Sequence, residues 1–265
     1  MAIITLTTDL GIRDNYVASL KASILTQNKD VNIIDISHSV ECFNINQATH
    51  VLKTCFKNFP KNTVHIITVD DELNSKNEHL LAFYNQQYFL CADNGFFNLF
   101  FDVFRPDKLF QITVDQKSDI LTFPSREILS IAACHLSRGG TPEIIGKEIN
   151  DYNFDSTSIK PVIDKNSIRC IVIYIDNYGN VVTNIQKQLF QTAVADKKFK
   201  IFHGSDNDSI NKISQVYNDV SIAEKLAIFD MNDYLQIAIN KGNASTLLGL
   251  KVFDIIRVEI SQWKH

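Results

Sequence analysis

Hydrophobic and polar positions in the first half of the chain follow two different periods. Apolar runs rich in β-branched residues predict strands at residues 3–8, 32–36 and 63–69. A further apolar stretch, interrupted by a polar turn at 85–87, predicts a hairpin. Because helical periodicity separates the first strands, the pattern predicts a Rossmann-like α/β domain with a mainly parallel sheet.

Three helices are predicted in the same half of the chain. The first has Asp14 as its expected N-cap and apolar residues at helical spacing behind it. The second carries one apolar face over residues 45–59 and is expected to stop at Pro60. The third covers residues 126–137 and ends before a pair of glycines.

The second half of the chain has a different pattern of apolar and polar residues. Residues 151–165 are polar and irregular, which is typical of a linker. Closely spaced strand-like segments then follow, which predicts a small antiparallel β-barrel. The expected organisation is an α/β domain at 1–155, a linker at 156–166 and a β-barrel domain at 167–265.

Composition narrows the classes of function. The chain has 265 residues, is 45% hydrophobic and carries a formal net charge of -4. This charge argues against nucleic-acid binding, which usually needs a cationic surface. The five cysteines show no CxxC pair, which favours reduced thiols and a cytoplasmic location. No apolar stretch is long enough for a membrane helix, so no membrane partner is expected.

Carboxylates stand at the expected ends of three strands. Asp9, Asp70 and Asp93 each follow an apolar run. In open parallel sheets, ligands bind beyond the carboxyl ends of the strands. These residues are therefore candidate ligand-binding groups, and the alternative for each is that it only caps a turn.

Several separated segments match one family pattern in order. In the first half they read TTDLG at 7–11, DISH at 35–38, FPKNTVH at 59–65 and ADNG at 92–95. In the second half they read DNYGN at 176–180, TN at 183–184 and YLQIA at 234–238. Together they resemble the S-adenosyl-L-methionine hydroxide adenosyltransferase family, to which fluorinase and chlorinase are related.

The resemblance implies an architecture and a reaction. It implies an N-terminal α/β domain, a C-terminal β-barrel and a homotrimer whose ligand sites lie between neighbouring subunits. The implied substrate is S-adenosyl-L-methionine, cleaved to adenosine and L-methionine when water or hydroxide attacks C5′. No cofactor or metal is implied.

The resemblance also assigns substrate-binding roles. Asp9 would hold the ribose diol, and Asp176 would receive the methionine ammonium. Tyr178 would stack on adenine, Asn180 would meet the purine edge, and Asn240 would place backbone groups beside the base. For the turns around positions 9 and 177–180, a purely structural role is the alternative.

The catalytic part of the pattern is altered. The family handles its nucleophile with an Asp, an Arg and a His. Asp70 keeps the first place, but VDDELNSKN at 69–77 replaces VDPGVGTxRR. The arginine position falls on Asn77, beside Lys76, and the histidine position falls on Pro124.

Two further features bear on turnover. His79 or His135 could replace the lost histidine by a different loop path, whereas His38 and His65 are expected to be structural. Acidic residues at 230–233 stand where the family binds the methionine carboxylate, and they would repel it. The sequence therefore predicts a hydrolase with Asp70 as its retained catalytic residue. The alternative is a weakly active or inactive adenosyl-binding protein, and nothing supports a halide-using enzyme.

Overall fold

The computed structural model describes residues 2–72, 78–114, 120–150, 152–154, 159–204 and 209–261. The chain divides into two compact units, Met1–Ser158 and Ile159–His265. Of the linker predicted at 156–166, residues 156–158 lie outside the described residues. The remainder includes a short strand, Val162–Asp164, which pairs with the first long strand of the second unit.

The first unit is a seven-stranded sheet with helices packed against it. Its strands are β1 (Ile3–Thr8), β2 (Asn32–Ser37), β3 (Val64–Thr68), β4 (His79–Tyr84), β5 (Gln87–Ala92), β6 (Lys108–Ile112) and β7 (Gly146–Glu148). Its helices are α1 (Tyr16–Gln27), α2 (Ile45–Lys53), α3 (Phe96–Phe100), α4 (Ser130–Ser137) and α5 (Pro142–Ile145). A 3-10 turn at Phe56–Asn58 follows α2, and a π-helical turn at Ser125–Leu129 leads into α4.

The sheet of the first unit is mixed rather than mainly parallel. Its strand order is β2-β1-β3-β5-β4-β6-β7. The strands β2, β1, β3 and β5 are parallel to one another, and β4, β6 and β7 join by antiparallel pairings. The hairpin between β4 and β5 explains the difference, because a two-residue turn reverses the chain where a crossover helix would keep it parallel. Both turn residues, Asn85 and Gln86, have positive φ values of 51° and 59°.

Two helix boundaries differ from the sequence prediction. Asp14 is not the N-cap of α1, because Asn15 occupies that position and makes no side-chain capping bond. Helix α2 ends at Lys53 instead of continuing to Pro60, and its N-cap Asn44 accepts the Gln47 N–H. The apolar face predicted to extend the helix is completed by the 3-10 turn, whose Phe56 is buried.

Alternating side chains place two cores on opposite faces of the first sheet. One core includes Ile4, Leu6 and Ile66, packed against residues of α1 and α4. The other is rich in phenylalanine and includes Phe89 and Phe100. Because both faces are covered, the ends of the parallel strands are the part of the sheet that remains open to a ligand.

The second unit is a nine-stranded sheet with two short helices. Its strands are β8 (Val162–Asp164), β9 (Ser167–Ile175), β10 (Val181–Gln186), β11 (Lys198–Phe202), β12 (Ser209–Ile210), β13 (Ile213–Ser214), β14 (Lys225–Phe229), β15 (Tyr234–Ile239) and β16 (Ile255–Ser261). The helices are α6 (Lys187–Val194) and α7 (Ala244–Leu248).

The second sheet curls into a nearly closed barrel. Its order is β12-β11-β16-β9-β10-β15-β14-β13, with β8 attached to β9. The described pairings are antiparallel except for β13 with β14. Inward-facing residues such as Val172, Val181, Leu235 and Ile256 fill the interior. A mainly antiparallel barrel-like unit was predicted from the short, closely spaced strands.

Candidate functional site

Three parallel strands that lie side by side end at one edge of the first sheet. β1 pairs with β3 and β3 pairs with β5, all in parallel register. Asp9, Asp70 and Asp93 follow the carboxyl ends of these strands. The structure therefore brings the three candidate carboxylates to the same edge, where sheets of this kind bind ligands.

Asp9 is held by a loop from the neighbouring crossover. Its carboxylate Oδ2 accepts the backbone N–H of Phe43 at 2.9 Å. The Gly11 N–H, which an aspartate capping its own turn would bind, instead donates to the His38 carbonyl at 2.9 Å. Within the described part of the chain, Asp9 Oδ1 accepts no hydrogen bond. One oxygen of this carboxylate is thus fixed and the other is left to accept from a ligand hydroxyl.

The turn after β3 is clamped by Asn94. The side-chain Nδ2 of Asn94 donates to the carbonyls of Val69 and Asp70 at 2.8 and 2.9 Å. Asp70 itself has a positive φ of 51°. The amide therefore satisfies two backbone acceptors in a strained turn and fixes the direction in which Asp70 leaves the sheet.

Asp93 has a structural partner. Its carboxylate accepts the Tyr152 hydroxyl at 2.6 Å, and the same hydroxyl lies 3.0 Å from Asn98 Oδ1. Burial and the Asp93 carboxylate raise the pKa of Tyr152. Of the three strand-end carboxylates, Asp93 is therefore the one that holds a neighbouring side chain, Tyr152, within its own unit.

Asp71 is a site residue that sequence reasoning missed. Burial raises its pKa to about 6; the adjacent Ser125 partly opposes this shift, and the charge of Asp9 adds to it. Ser125 is fully buried. Asp71 Oδ2 and Ser125 Oγ are both buried without a hydrogen bond of ordinary geometry to a described residue, yet Ser125 lies close enough to stabilise the charged carboxylate. The sequence signal was an Asp-Asp pair directly after a buried strand, of which only the first member was considered.

The structure describes the position at which the family has its catalytic histidine, but not the position of its catalytic arginine. Pro124 is buried at the start of the π-helical turn and offers no side-chain proton donor or acceptor. Lys76 and Asn77 lie outside the described residues.

Of the two substitute histidines considered, only His79 lies at the carboxyl edge. Burial lowers its pKa, and a hydrogen bond with the backbone of Asp71 partly opposes this. His79 Nε2 is buried without a hydrogen bond. His135 instead lies 3.0 Å from the Thr141 carbonyl, at the end of α4 away from Ser125.

The two histidines expected to be structural are held by side-chain partners. His38 Nδ1 lies 2.9 Å from the Thr8 hydroxyl, and its Nε2 lies 3.1 Å from Asp35 Oδ1. His65 Nδ1 lies 2.7 Å from the Thr5 hydroxyl, and burial lowers its pKa to about 4. These contacts tie β1 to its neighbours and leave His65 neutral.

In the second unit, the DNYGN segment forms a tight turn between β9 and β10. Asp176 Oδ1 accepts the backbone N–H groups of Tyr178 and Asn180, both at 2.9 Å. Asp176 Oδ2 accepts from Asn180 Nδ2 at 2.9 Å and from Gln236 Nε2 at 3.4 Å. The turn alternative for this carboxylate is thus realised in the structure, while the Tyr178 ring is 77% exposed.

Gly179 is required by this turn. Its φ is +80°, and a Cβ at this position would overlap the side chain of Asn243. Asn243 caps α7 by accepting the Thr246 N–H, and the Ser245 N–H donates to the Gly179 carbonyl. The turn and the start of α7 therefore fit together only when position 179 lacks a side chain.

Polar groups from two other segments surround Asp176. The Tyr217 hydroxyl donates to Gln236 Oε1 at 2.8 Å. Burial raises the pKa of Tyr217, and the charges of Asp176 and Asp230 add to this shift. Burial also raises the pKa of Asp230, although its Oδ1 accepts the Asn232 and Tyr234 N–H groups at 2.8 and 2.9 Å. The result is a region of negative potential beside the turn.

Asn240 is enclosed in the second unit. Its Nδ2 donates to the Val220 carbonyl at 2.8 Å. Its backbone N–H donates to the Glu224 carbonyl, and its carbonyl accepts the Ala223 N–H. Side chain and backbone therefore hold the 220–224 loop against the end of β15.

Two searches of the described residues were negative. No group of three or more His, Cys, Asp or Glu side chains there could hold a metal ion. No described helix has the length and apolar character required to cross a membrane.

The chain matches two family models along most of its length. Residues 4–146 match the SAM hydroxide adenosyltransferase N-terminal domain, and residues 170–257 match the SAM hydroxide adenosyltransferase C-terminal domain. These ranges contain both the strand-end carboxylates Asp9, Asp70 and Asp93 and the DNYGN turn at 176–180.

Individual relatives agree with this match. The chain is similar to an (R)-S-adenosyl-L-methionine hydrolase of Methanocaldococcus jannaschii, with 28% identity over 97% of this chain and 95% of the relative. It is 21% identical to a fluorinase of Actinopolyspora mzabensis, over 72% of this chain and 74% of that protein. An uncharacterized conserved protein from Thermotoga maritima has a crystal structure with a TM-score of 0.88 and 30% identity, covering 97% of this chain and 99% of that chain.

Proposed function

The chain belongs to the SAM hydroxide adenosyltransferase family, and we propose that it hydrolyses S-adenosyl-L-methionine to adenosine and L-methionine. The observation that carries this proposal is the family match over both units, with Asp9 at the carboxyl edge of the first sheet and one of its oxygens available. The likeness to a named hydrolase over 97% of the chain supports it.

In the proposed reaction, water attacks C5′ and the sulfonium leaves as a neutral thioether. Attack of hydroxide on a sulfonium destroys charge, so bulk water would stabilise the separated reactants more than the transition state. A site that excludes bulk water and fixes the nucleophile, C5′ and sulfur in line therefore accelerates the reaction. No cofactor takes part.

The first unit would bind the sugar and the nucleophile. Asp9 Oδ1 would accept from the ribose diol while Oδ2 keeps its bond to the Phe43 N–H. Asp70 would orient the water, and the Asn94 clamp supports this role because it fixes the Asp70 backbone. Both groups stand at the edge where open sheets bind nucleotides.

The second unit would bind the purine and the amino-acid end. The exposed Tyr178 ring offers a face for stacking. Asn180 Nδ2 is bonded to Asp176, so its Oδ1 would be the group that meets the purine edge. Asn240 would act by holding the adjoining loop. Asp176 would attract the methionine ammonium, a role that the negative potential beside the turn favours.

We also propose the homotrimer that the family resemblance implies, with one copy supplying the ribose group and its neighbour the purine turn. Large apolar side chains are exposed near the proposed ribose-binding and purine-binding parts of the site. They include Ile12 (82%) and Phe43 (67%) beside Asp9, and Met231 (86%) in the second unit. Exposed apolar groups of this size favour association. A cytoplasmic location is proposed because the cysteines are free thiols.

The alternative is a weakly active or inactive adenosyl-binding protein. The buried Pro124 favours it, because loss of an acid–base group typically costs about 10²–10⁴ in rate. Such a protein would keep the ribose and purine groups and bind adenosine without turnover.

The test is release of adenosine and methionine from S-adenosyl-L-methionine by the purified protein, separated chromatographically. We expect equal amounts of both products, and loss of release in Asp9→Ala. The exposed Asp14→Ala is the matched control and should remain active. Saturable adenosine binding with no product would support the alternative, and failure to bind either compound would exclude both functions.

A further inference from the structure

Two oxygen atoms at the carboxyl edge are buried and make no hydrogen bond of ordinary geometry to any residue that the structure describes. They are Asp71 Oδ2 and Ser125 Oγ. Ser125 is fully buried, and it lies next to the Asp71 carboxylate, whose charged form it stabilises. Buried polar atoms almost always have partners in folded proteins, so each exception calls for an explanation, and a catalytic role is one of them.

Asp71 is also close to Asp9, the carboxylate that we propose binds the ribose. The charge of Asp9 acts on the Asp71 carboxyl and disfavours its ionisation. Two carboxylates that repel each other in a partly buried site are an unfavourable arrangement for stability alone. A cationic, hydroxyl-bearing ligand would relieve that repulsion, which is the property of a nucleoside sulfonium.

We propose that Asp71 is the general base of the reaction and that the Ser125 hydroxyl holds the attacking water against it. This inference rests on the proposed function, since it assigns a proton acceptor to the same hydrolysis. The Ser125 hydroxyl can donate towards the Asp71 carboxylate and accept a hydrogen bond from the attacking water, so it can hold that water beside the carboxylate.

The step balances without any further reactant. An O–H bond of the water breaks and its proton passes to the Asp71 carboxylate. The water oxygen forms a bond to C5′, while the C5′–S bond breaks and leaves its electron pair on sulfur. The products are the 5′-hydroxyl of adenosine and the thioether of methionine, and Asp71 then releases its proton to solvent.

Two departures from the family pattern complement each other in this arrangement. Position 71, which is proline in that pattern, is now a carboxylate, and position 124, which is histidine there, is now proline. Ser125 directly follows Pro124 and faces Asp71. The acid–base side chain is therefore lost at position 124, and a carboxylate is gained at position 71, on the segment that faces it.

His79 is a positioning residue in this account. It is 4% exposed, and its ring bonds to the backbone of Asp71. Burial lowers its pKa, which favours the neutral imidazole over a charged one beside Asp71.

The test compares pH profiles of adenosine release for the wild type, Asp71→Asn, Ser125→Ala and the control Glu72→Gln. Glu72 is the exposed acidic neighbour. In the wild type, kcat/KM should rise with pH through about 6 and then level off, because the base of the free enzyme must be ionised. Asp71→Asn should lower kcat about 10²–10⁴-fold, remove this rise and leave KM nearly unchanged.

The Ser125 variant separates a catalytic role from a structural one. Because Ser125 favours the charged carboxylate, Ser125→Ala should move the rise in kcat/KM to higher pH. Glu72→Gln should match the wild type. A wild-type enzyme that turns over while Asp71→Asn keeps the same kcat and pH profile would overturn this inference alone. A wild type that releases no adenosine at any pH would overturn the proposed function and the inference together.

Discussion

Asp71→Asn should stabilise the protein while it removes activity. The pKa of this carboxyl is raised by burial and by the charge of Asp9. Above that pKa the folded protein must therefore keep an ionised group in an environment that disfavours it. Asparagine has the same shape and no charge, so it removes the penalty without leaving a cavity.

The magnitude follows from the two pKa values. The unfolded chain has a value near 3.8 and the folded chain a value of about 6, a difference of about 2 pH units. At about 1.4 kcal/mol per unit, folding stability should fall by up to ~3 kcal/mol as pH rises between these values. Below about pH 4 both states are protonated and the carboxyl contributes nothing. Above about pH 6 both are ionised and the full penalty applies.

Urea unfolding of the wild type and Asp71→Asn over this pH range measures the effect. The variant should match the wild type at the acidic end and exceed it by about 1–3 kcal/mol near neutral pH. Glu72→Gln, at the exposed neighbouring position, should show no such pH-dependent difference in stability from the wild type. A difference between wild type and Asp71→Asn that does not change with pH would refute the charge argument.

Three further substitutions test other parts of the account. Tyr178→Ala should leave unfolding unchanged, because the ring is 77% exposed, but should weaken adenosine binding in calorimetry by about 1–3 kcal/mol, with Tyr178→Phe as the silent control. Gly179→Ala should lower Tm and adenosine affinity together, because its φ is +80° and its Cβ would overlap Asn243; a variant that melts like the wild type would contradict this. Asn94→Ala should cost about 1–3 kcal/mol in urea unfolding, because two carbonyls after β3 lose their donor.

The parts of the fold with local signals could be predicted from the sequence. Strands such as Ile3–Thr8 and Val64–Thr68 have strong apolar patterns and fall where expected. The hairpin of β4 and β5 was also predicted, but the rest of the mixed sheet could not be derived in this way. Its antiparallel half depends on which neighbour β4 and β6 choose, and pairing is decided by packing between distant segments.

The site shows the same division between local and distant information. A carboxylate after a buried strand marks a ligand edge, so Asp9 and Asp70 could be singled out from the sequence. The raised pKa of Asp71 could not, because it depends first on burial and then on the charge of Asp9, and both follow from tertiary packing. Asp176 shows another limit: its motif predicts a ligand group, which stays a prediction, and only the structure shows that both of its oxygens also accept hydrogen bonds within the turn.

The most direct test of the account is to follow the oxygen atom. The purified protein is incubated with S-adenosyl-L-methionine in water enriched in heavy oxygen, and the products are analysed by mass spectrometry. The account predicts adenosine that carries one heavy oxygen at its 5′-hydroxyl and methionine that carries none. Unlabelled adenosine, or a bound nucleoside with no product, would contradict hydrolysis at C5′.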